Sequence, residues 1–231
     1  MEAIDTGRLM GVWEQGQTQH PLHRALTLLC AVETDQTVDA LALLSIGERD
    51  RRLIGLRQRI FGSHFDAVAV CPRCAEKLEL SFRSSDLVLR AAPRSTTNVT
   101  VDGRDITVRL PNTADLLEVA AEAPERRTAA LLERCAGSDL SESAAESVQS
   151  EMGELDPAAC IELELTCPGC EHHWASIFDI ASYLWIELND YAMRLLRETH
   201  TLARAYGWRE SDIFAISPRR RQVYLDLLMG A

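Results

Sequence analysis

The sequence predicts an α+β fold in which a small antiparallel β core is closed by two cysteine knuckles, with helices before it, inserted into it and after it. Three observations predict this. Cys71-Pro-Arg-Cys74 and Cys167-Pro-Gly-Cys170 repeat one short motif, and each lies between two runs of strand character. Val99 to Leu110 alternates apolar and polar residues around Asp102-Gly103. Both ends of the chain place apolar residues at helical spacing.

The knuckles imply a metal. A two-residue spacer lets the backbone curl so that both thiolates face one point, and two such turns supply the four sulfurs that tetrahedral zinc takes in closed, structural sites. Cys71, Cys74, Cys167 and Cys170 are therefore the expected ligands of one structural Zn²⁺ per chain. The flanking runs, Phe65 to Val70 and Lys77 to Phe82 around the first knuckle and Ile161 to Leu165 and Trp174 to Phe178 around the second, give the layout of a zinc ribbon. A redox pair is the weaker reading, because neither motif opens a helix in a βαβ pattern. His172 and His173 follow the second knuckle and offer alternative ligands. Ala75 and Glu171 stand where many ribbons carry glycine. Cys30, Cys135 and Cys160 fall in apolar or helical stretches and are expected to be small buried hydrophobes.

In chain order, residues 1–62 read as a helical segment. Leu22, Ala25, Leu26, Leu29 and Val32 mark one helix, and a second after Ser45 carries Leu53, Ile54, Leu56 and Ile60 before Gly62. Gly47-Glu-Arg-Asp-Arg-Arg52 reads as a solvated, ion-paired first turn. Residues 63–179 form the discontinuous β core, with a polar loop from Ser84 to Thr97 and an insertion over about 98–156. Asp-Gly suits the positive φ of a tight hairpin turn. Asn112 or Thr113 then caps a helix through Leu116, Leu117 and Ala120, broken near Pro124 and resumed through Leu131, Leu132 and Cys135, and an acidic helix runs from Ser141 to Leu155. Residues 180–231 form a helical unit. Ile177, Ile180, Leu184, Leu188, Tyr191, Leu195, Leu202 and Tyr206 keep one rhythm up to Gly207, with Asp190, Arg194 and Glu198 spaced for i,i+4 pairs. A short helix after Trp208 holds Ile213, Phe214 and Ile216, and Ser217-Pro218 opens a last helix with Val223, Tyr224, Leu227 and Leu228.

Composition narrows the function. With 231 residues, 46% of them hydrophobic, the chain can bury a core, and no apolar run reaches the roughly 20 residues of a membrane span. A net charge of −11 argues against a phosphate backbone as partner. Seven cysteines, an odd number, and no secretory signal pattern lead to the expectation of a reducing cytoplasm. No nucleophile elbow, phosphate-binding loop, dinucleotide fingerprint or H-E-x-x-H is present, so neither catalytic residues nor a small-molecule substrate are expected. Arg219, Arg220 and Arg221 form the one dense basic cluster and, with Trp208, are the candidate partner-binding residues. Trp174, Trp185 and Trp208, with Phe178 and Phe214, are expected in the core rather than on an interaction surface.

The order of Gly47-Glu-Arg-Asp-Arg-Arg-Leu-Ile-Gly-Leu-Arg57, Cys71-Pro-Arg-Cys74, Leu110-Pro-Asn-Thr-Ala-Asp-Leu116, Cys167-Pro-Gly-Cys170, Phe178-Asp-Ile-Ala-Ser-Tyr-Leu-Trp185 and Ala205-Tyr-Gly-Trp-Arg-Glu-Ser-Asp-Ile213 with Pro218-Arg-Arg-Arg221 resembles the T-even-phage type of baseplate hub assembly chaperone. Such proteins are also encoded in gene clusters for extracellular contractile injection systems. The resemblance covers most of the chain. It implies a non-enzymatic protein that helps to build a contractile tail, as an assembly factor or as a baseplate part, with a hub or tape-measure protein as partner. The competing expectation is a zinc-ribbon regulator that contacts nucleic acid, which salt-titrated binding to random duplex DNA discriminates.

Overall fold

The computed structural model describes residues 5–230 except positions 88, 102, 138 and 139. Helices α1 (Thr6–Gly16), α2 (Pro21–Cys30), α3 (Val38–Ala42) and α4 (Ile46–Phe61) come first. Strand β1 (His64–Val70) pairs with β2 (Lys77–Arg83), and β3 (Thr96–Val101) with β4 (Arg104–Arg109). Helices α5 (Thr113–Val119), α6 (Arg127–Ala136) and α7 (Glu142–Leu155) lead to the pair β5 (Glu162–Thr166) and β6 (His173–Ile177). Helices α8 (Ile180–Tyr206), α9 (Glu210–Ala215) and α10 (Pro218–Met229) follow. All three sheets are two-stranded and antiparallel, which makes the class α+β. Contacts divide the chain into two compact units, Met1–Thr34 with Ser182–Ala231, and Asp35–Ala181.

In the unit Asp35–Ala181, α4 begins where Ser45 accepts a hydrogen bond from the Glu48 N–H and ends at Gly62, whose φ of 90° favours glycine. Buried Arg57 then donates to the carbonyls of Gly62 and His64 and lies 4.0 Å over the Phe65 ring, fixing the exit of α4 into β1. Phe65 stacks on Phe82 at 5.1 Å and meets Phe178 edge-on at 5.8 Å, so one aromatic group joins β1 and β2 to the residue after β6. The β3–β4 pairing runs to Val101 opposite Arg104, and Gly103 has a φ of 75°; Asp102 of the expected turn lies outside the described residues. Val108 packs with Leu132 of α6 and Val148 of α7, which gives the insertion its own apolar cluster.

In the other unit the burial is mostly aliphatic. Leu26 and Leu29 of α2 and Leu188, Ala192, Leu195 and Leu202 of α8 are 0–1% exposed. Met10 packs with Ala192 and Leu195, and Trp13, Tyr191 and Phe214 cover that group. Trp13 donates through Nε1 to Asn189 Oδ1 at 3.0 Å. A methyl group on Gly16 would overlap the Trp185 ring, and Arg24 lies 4.6 Å over the same ring while donating to the Gly16 carbonyl at 2.8 Å.

Several expectations need correction. Ile177, read both within the Trp174–Phe178 strand run and at the start of the helical rhythm, belongs to β6 and is 70% exposed, because Asp179 caps α8 by accepting from the Ala181 N–H at 3.0 Å and so starts the helix after the strand has ended. Glu198 pairs with Arg221 at 3.0 Å rather than with Arg194, which lies over the Tyr191 ring. Cys135 is buried as expected, but Cys30 is only half-buried and Cys160 is exposed. Of the expected core aromatics Phe178 is buried, whereas Trp174, Trp185, Trp208 and Phe214 are half-buried, and Ile216, expected in the short helix, follows α9 instead.

Candidate metal centre

The two knuckles adopt one geometry. The Cys71 N–H donates to the Glu76 carbonyl and the Ala75 N–H to the Cys71 carbonyl, both at 2.9 Å. At the second knuckle the Cys167 N–H donates to the His172 carbonyl and the Glu171 N–H to the Cys167 carbonyl, again at 2.9 Å. Strand pairing reaches Val70 opposite Lys77 on one side and Thr166 opposite His173 on the other, so each knuckle closes a β-hairpin. The positions that the sequence marks as lacking glycine carry the strain: Ala75 has a φ of 62° and Glu171 a φ of 56°. Among the described residues these are the non-glycine positions with positive φ, at a cost of about 1–2 kcal/mol each.

The knuckles meet sulfur to sulfur. The Sγ of Cys71 lies 3.7 Å from that of Cys170, the Sγ of Cys74 lies 3.5 Å from that of Cys167, and all four sulfurs fall within 4.8 Å of one another. First-to-second pairing in both directions is what a local two-fold relation between the hairpins produces. A zinc–sulfur bond of about 2.3 Å in a tetrahedron requires sulfurs about 3.8 Å apart, close to the Cys71–Cys170 and Cys74–Cys167 separations. Cys71 and Cys167 are buried, Cys170 is half-buried and Cys74 is exposed. Leu78, Leu80 and Trp174 pack around the group, which screens it on one side.

The four thiols compete for negative charge. Burial pushes the Cys71 thiol up, but the backbone N–H groups of Cys74 and Arg73 and the Cys74 and Cys170 thiols outweigh burial and hold it at about 7. At Cys74 the Glu76 N–H favours the thiolate, yet Cys170, Cys167, burial and Cys71 together push it up to about 12. The His172 N–H likewise favours a thiolate at Cys170, and burial with the Cys167 and Cys71 thiols turns the net shift upward. One thiolate thus raises its neighbours, and a divalent cation at their centre removes the conflict.

The remaining sequence candidates are distributed as follows. His172 stacks on Trp174 at 5.9 Å and His173 hydrogen-bonds Thr166 at 2.8 Å, so neither joins the thiol group. Arg221 is 2% exposed, pairs with Glu198 and donates to the Ile216 carbonyl at 2.9 Å, which removes it from any exposed surface. Arg219 and Arg220 are exposed, and Trp208 is half-buried between Tyr206 and Tyr224.

The expected solvated face over residues 47–52 is only half right. Glu48 pairs with Arg51 at 2.7 Å and with Arg52 at 2.6 Å near the surface. Arg49 and Asp50 are instead 5% and 8% exposed, paired at 2.7 Å, with Arg49 also donating to buried Thr113 at 3.2 Å. Burial raises the Asp50 carboxyl, with Arg49 opposing it. Asp156 accepts the Gly47 N–H at 3.0 Å and sits so close that a methyl group on Gly47 would overlap its carboxylate. Asp115 is a second anchor: it takes a forked pair from Arg109 at 2.6 and 2.7 Å, another bond from Arg134 at 3.1 Å, and closes a capping box with Asn112. Burial raises the Asp115 carboxyl, but Arg109, the Asn112 N–H and Arg134 outweigh this and hold it below its usual range. The Asn112-x-x-Asp115 spacing is a signal that could have identified this anchor. Nothing local marks Asp156.

No family model matches the chain, and neither a curated protein nor a solved structure matches it. No described helix is long and apolar enough to cross a membrane.

Proposed function

We propose that this chain is a non-enzymatic assembly chaperone or minor component of the baseplate or hub of a contractile, phage-tail-like injection system. One structural zinc ion held by Cys71, Cys74, Cys167 and Cys170 fastens its two knuckle hairpins into a zinc ribbon. The observation that carries the metal reading is the gathering of four cysteine sulfurs from two distant knuckles within 4.8 Å. The assembly reading is supported by the ordered motifs of the sequence and by their use in packing: Arg49, Asp50 and Arg57 inside α4, Asp115 at the start of α5, Phe178 against Phe65. The partner is a hub or tape-measure protein, met in the cytoplasm.

Metal content by plasma mass spectrometry tests the first part, with one zinc per chain expected and its retention in Cys71→Ser and Cys167→Ser refuting the assignment. For the second part, this chain is quantified by mass spectrometry in purified particles and in the soluble fraction of a producer strain. A fixed ratio to the hub in particles makes it a baseplate part, and a soluble complex with a tail protein makes it a chaperone. Absence of both overturns the reading.

A further inference from the structure

The C-terminal helices present an aromatic and arginine-rich surface. Tyr206 stacks on Trp208 at 4.8 Å, Trp208 meets Tyr224 edge-on at 4.8 Å, and Tyr206 is 37% exposed. On α10, Arg221 faces inward to Glu198, so the opposite side of the helix faces outward. Arg220, Val223 and Leu227 fall on that outward side at i, i+3 and i+7, beside Tyr224. Val223 is 53% and Leu227 59% exposed.

The charge at this end opposes the rest of the chain. Arg204, Arg209, Arg219 and Arg220 are exposed and take part in no ion pair among the described residues. Nearby acids are Glu210, Asp212 and Asp226, whereas the whole protein carries −11. Arg219 and Arg220 also sit in the first turn of α10, where the helix dipole repels cations, so nothing within the helix favours them there. Half-exposed Tyr and Trp, unpaired Arg and an apolar stripe are the residue types that dominate protein interfaces.

We propose that the face formed by Tyr206, Trp208, Arg219, Arg220, Val223 and Leu227 docks an acidic amphipathic helix of a partner protein. The partner's apolar ridge lies along Val223 and Leu227, and its flanking carboxylates meet Arg219 and Arg220. This deepens the assembly reading by naming the face and the chemistry it takes, and it rests on the premise that the chain engages a protein. The test needs no tail protein, so its failure is separate from failure of the particle fractionation.

The probes are three fluorescein-labelled helical peptides: one with leucines at i, i+3 and i+4 flanked by glutamates, one with lysines in place of the glutamates, and a scrambled acidic control. Fluorescence anisotropy on the full chain reads binding at low and high salt. The expected result is binding of the patterned acidic peptide alone, weakened about tenfold or more by Arg219→Glu with Arg220→Glu, and by Leu227→Ser even at high salt. Arg83→Glu with Arg104→Glu makes the same charge change at exposed positions elsewhere and should leave binding unchanged. All substituted side chains are exposed, and circular dichroism confirms folding of each variant. Equal binding of the lysine or scrambled peptide, no binding, or equal losses in both double variants overturns the proposal. Sedimentation showing dimers that the Arg219 and Arg220 changes dissolve would assign the face to a second copy and also overturn it.

Discussion

The unit Asp35–Ala181 and the unit built from the two ends of the chain are held by different chemistry. The first sets three two-stranded hairpins, each marginal alone in water, among helices α3–α7 and their buried leucines and valines. Its fastening points are therefore directional: four thiols, the Asp115 fork and the Asp156 bond to Gly47. The second packs helices through leucines and alanines along α8, with few buried polar groups beyond the Arg221–Glu198 pair and Thr199. The difference teaches that hairpins set among helices add point fasteners to their apolar burial, which respond to acid and, for the thiols, to oxidant, while an amphipathic helix relies on area, which responds to volume.

Removing the zinc proposed for the four thiols should separate the units most widely. A structural zinc contributes on the order of 10 kcal/mol of binding free energy to the folded form. A strong chelator is expected to abolish hydrogen-exchange protection over residues 64–83 and 161–177 while the α8 amides beyond residue 190 stay protected. Equal loss in both regions would break the comparison. The converse change is Leu195→Ala, which removes a 1%-exposed side chain from the helical unit and should cost about 2–5 kcal/mol in denaturant unfolding, with zinc content unchanged. Zinc loss in that variant would show that the units do not separate.

Acid sharpens the contrast further. Asp115→Asn keeps the shape but loses the charge that Arg109 and Arg134 hold, at a cost of about 2 kcal/mol near neutral pH. The folded state holds this carboxyl below its unfolded value of about 3.9, so its contribution is full above that value and fades as pH falls through the folded pKa. The gap between wild type and Asp115→Asn in urea midpoint should hold from neutral pH to about 5 and close below about pH 4. A gap that persists at pH 2 would show that packing, not charge, is lost. Asp50, raised by burial, works in the opposite sense: its contribution is full below the unfolded pKa and is lost as pH rises through the folded one.

The smallest effect concerns the knuckle turns. Ala75→Gly and Glu171→Gly should each stabilise the protein by about 1 kcal/mol, because glycine adopts positive φ without a Cβ penalty. A higher urea midpoint at an unchanged slope is the expected reading. A lower midpoint would mean that the side chains contribute contacts that outweigh the strain.

By itself the sequence determined the elements whose signals are local. The two C-P-x-C knuckles with their flanking strands, the alternation up to Val101 and from Arg104, the Asn112 and Ser217 caps, and the rhythm of α8 up to Gly207 each depend on residues a few positions apart. The four cysteines were legible as a set because a thiol pair at that spacing has few other uses. The tertiary structure alone decided which polar residues are internal. Arg49, Asp50 and Arg221 look in sequence like solvated charges, and their burial follows from Thr113, Glu198 and the Ile216 carbonyl, of which Thr113 and Glu198 lie far along the chain. Ile177 fits both the Trp174–Phe178 strand run and the helical rhythm, and pairing with Glu162 decided between them. The physical reason is one of range: backbone hydrogen bonding and capping are set by near neighbours, whereas the cost of burying a charge depends on the partner that folding brings to it.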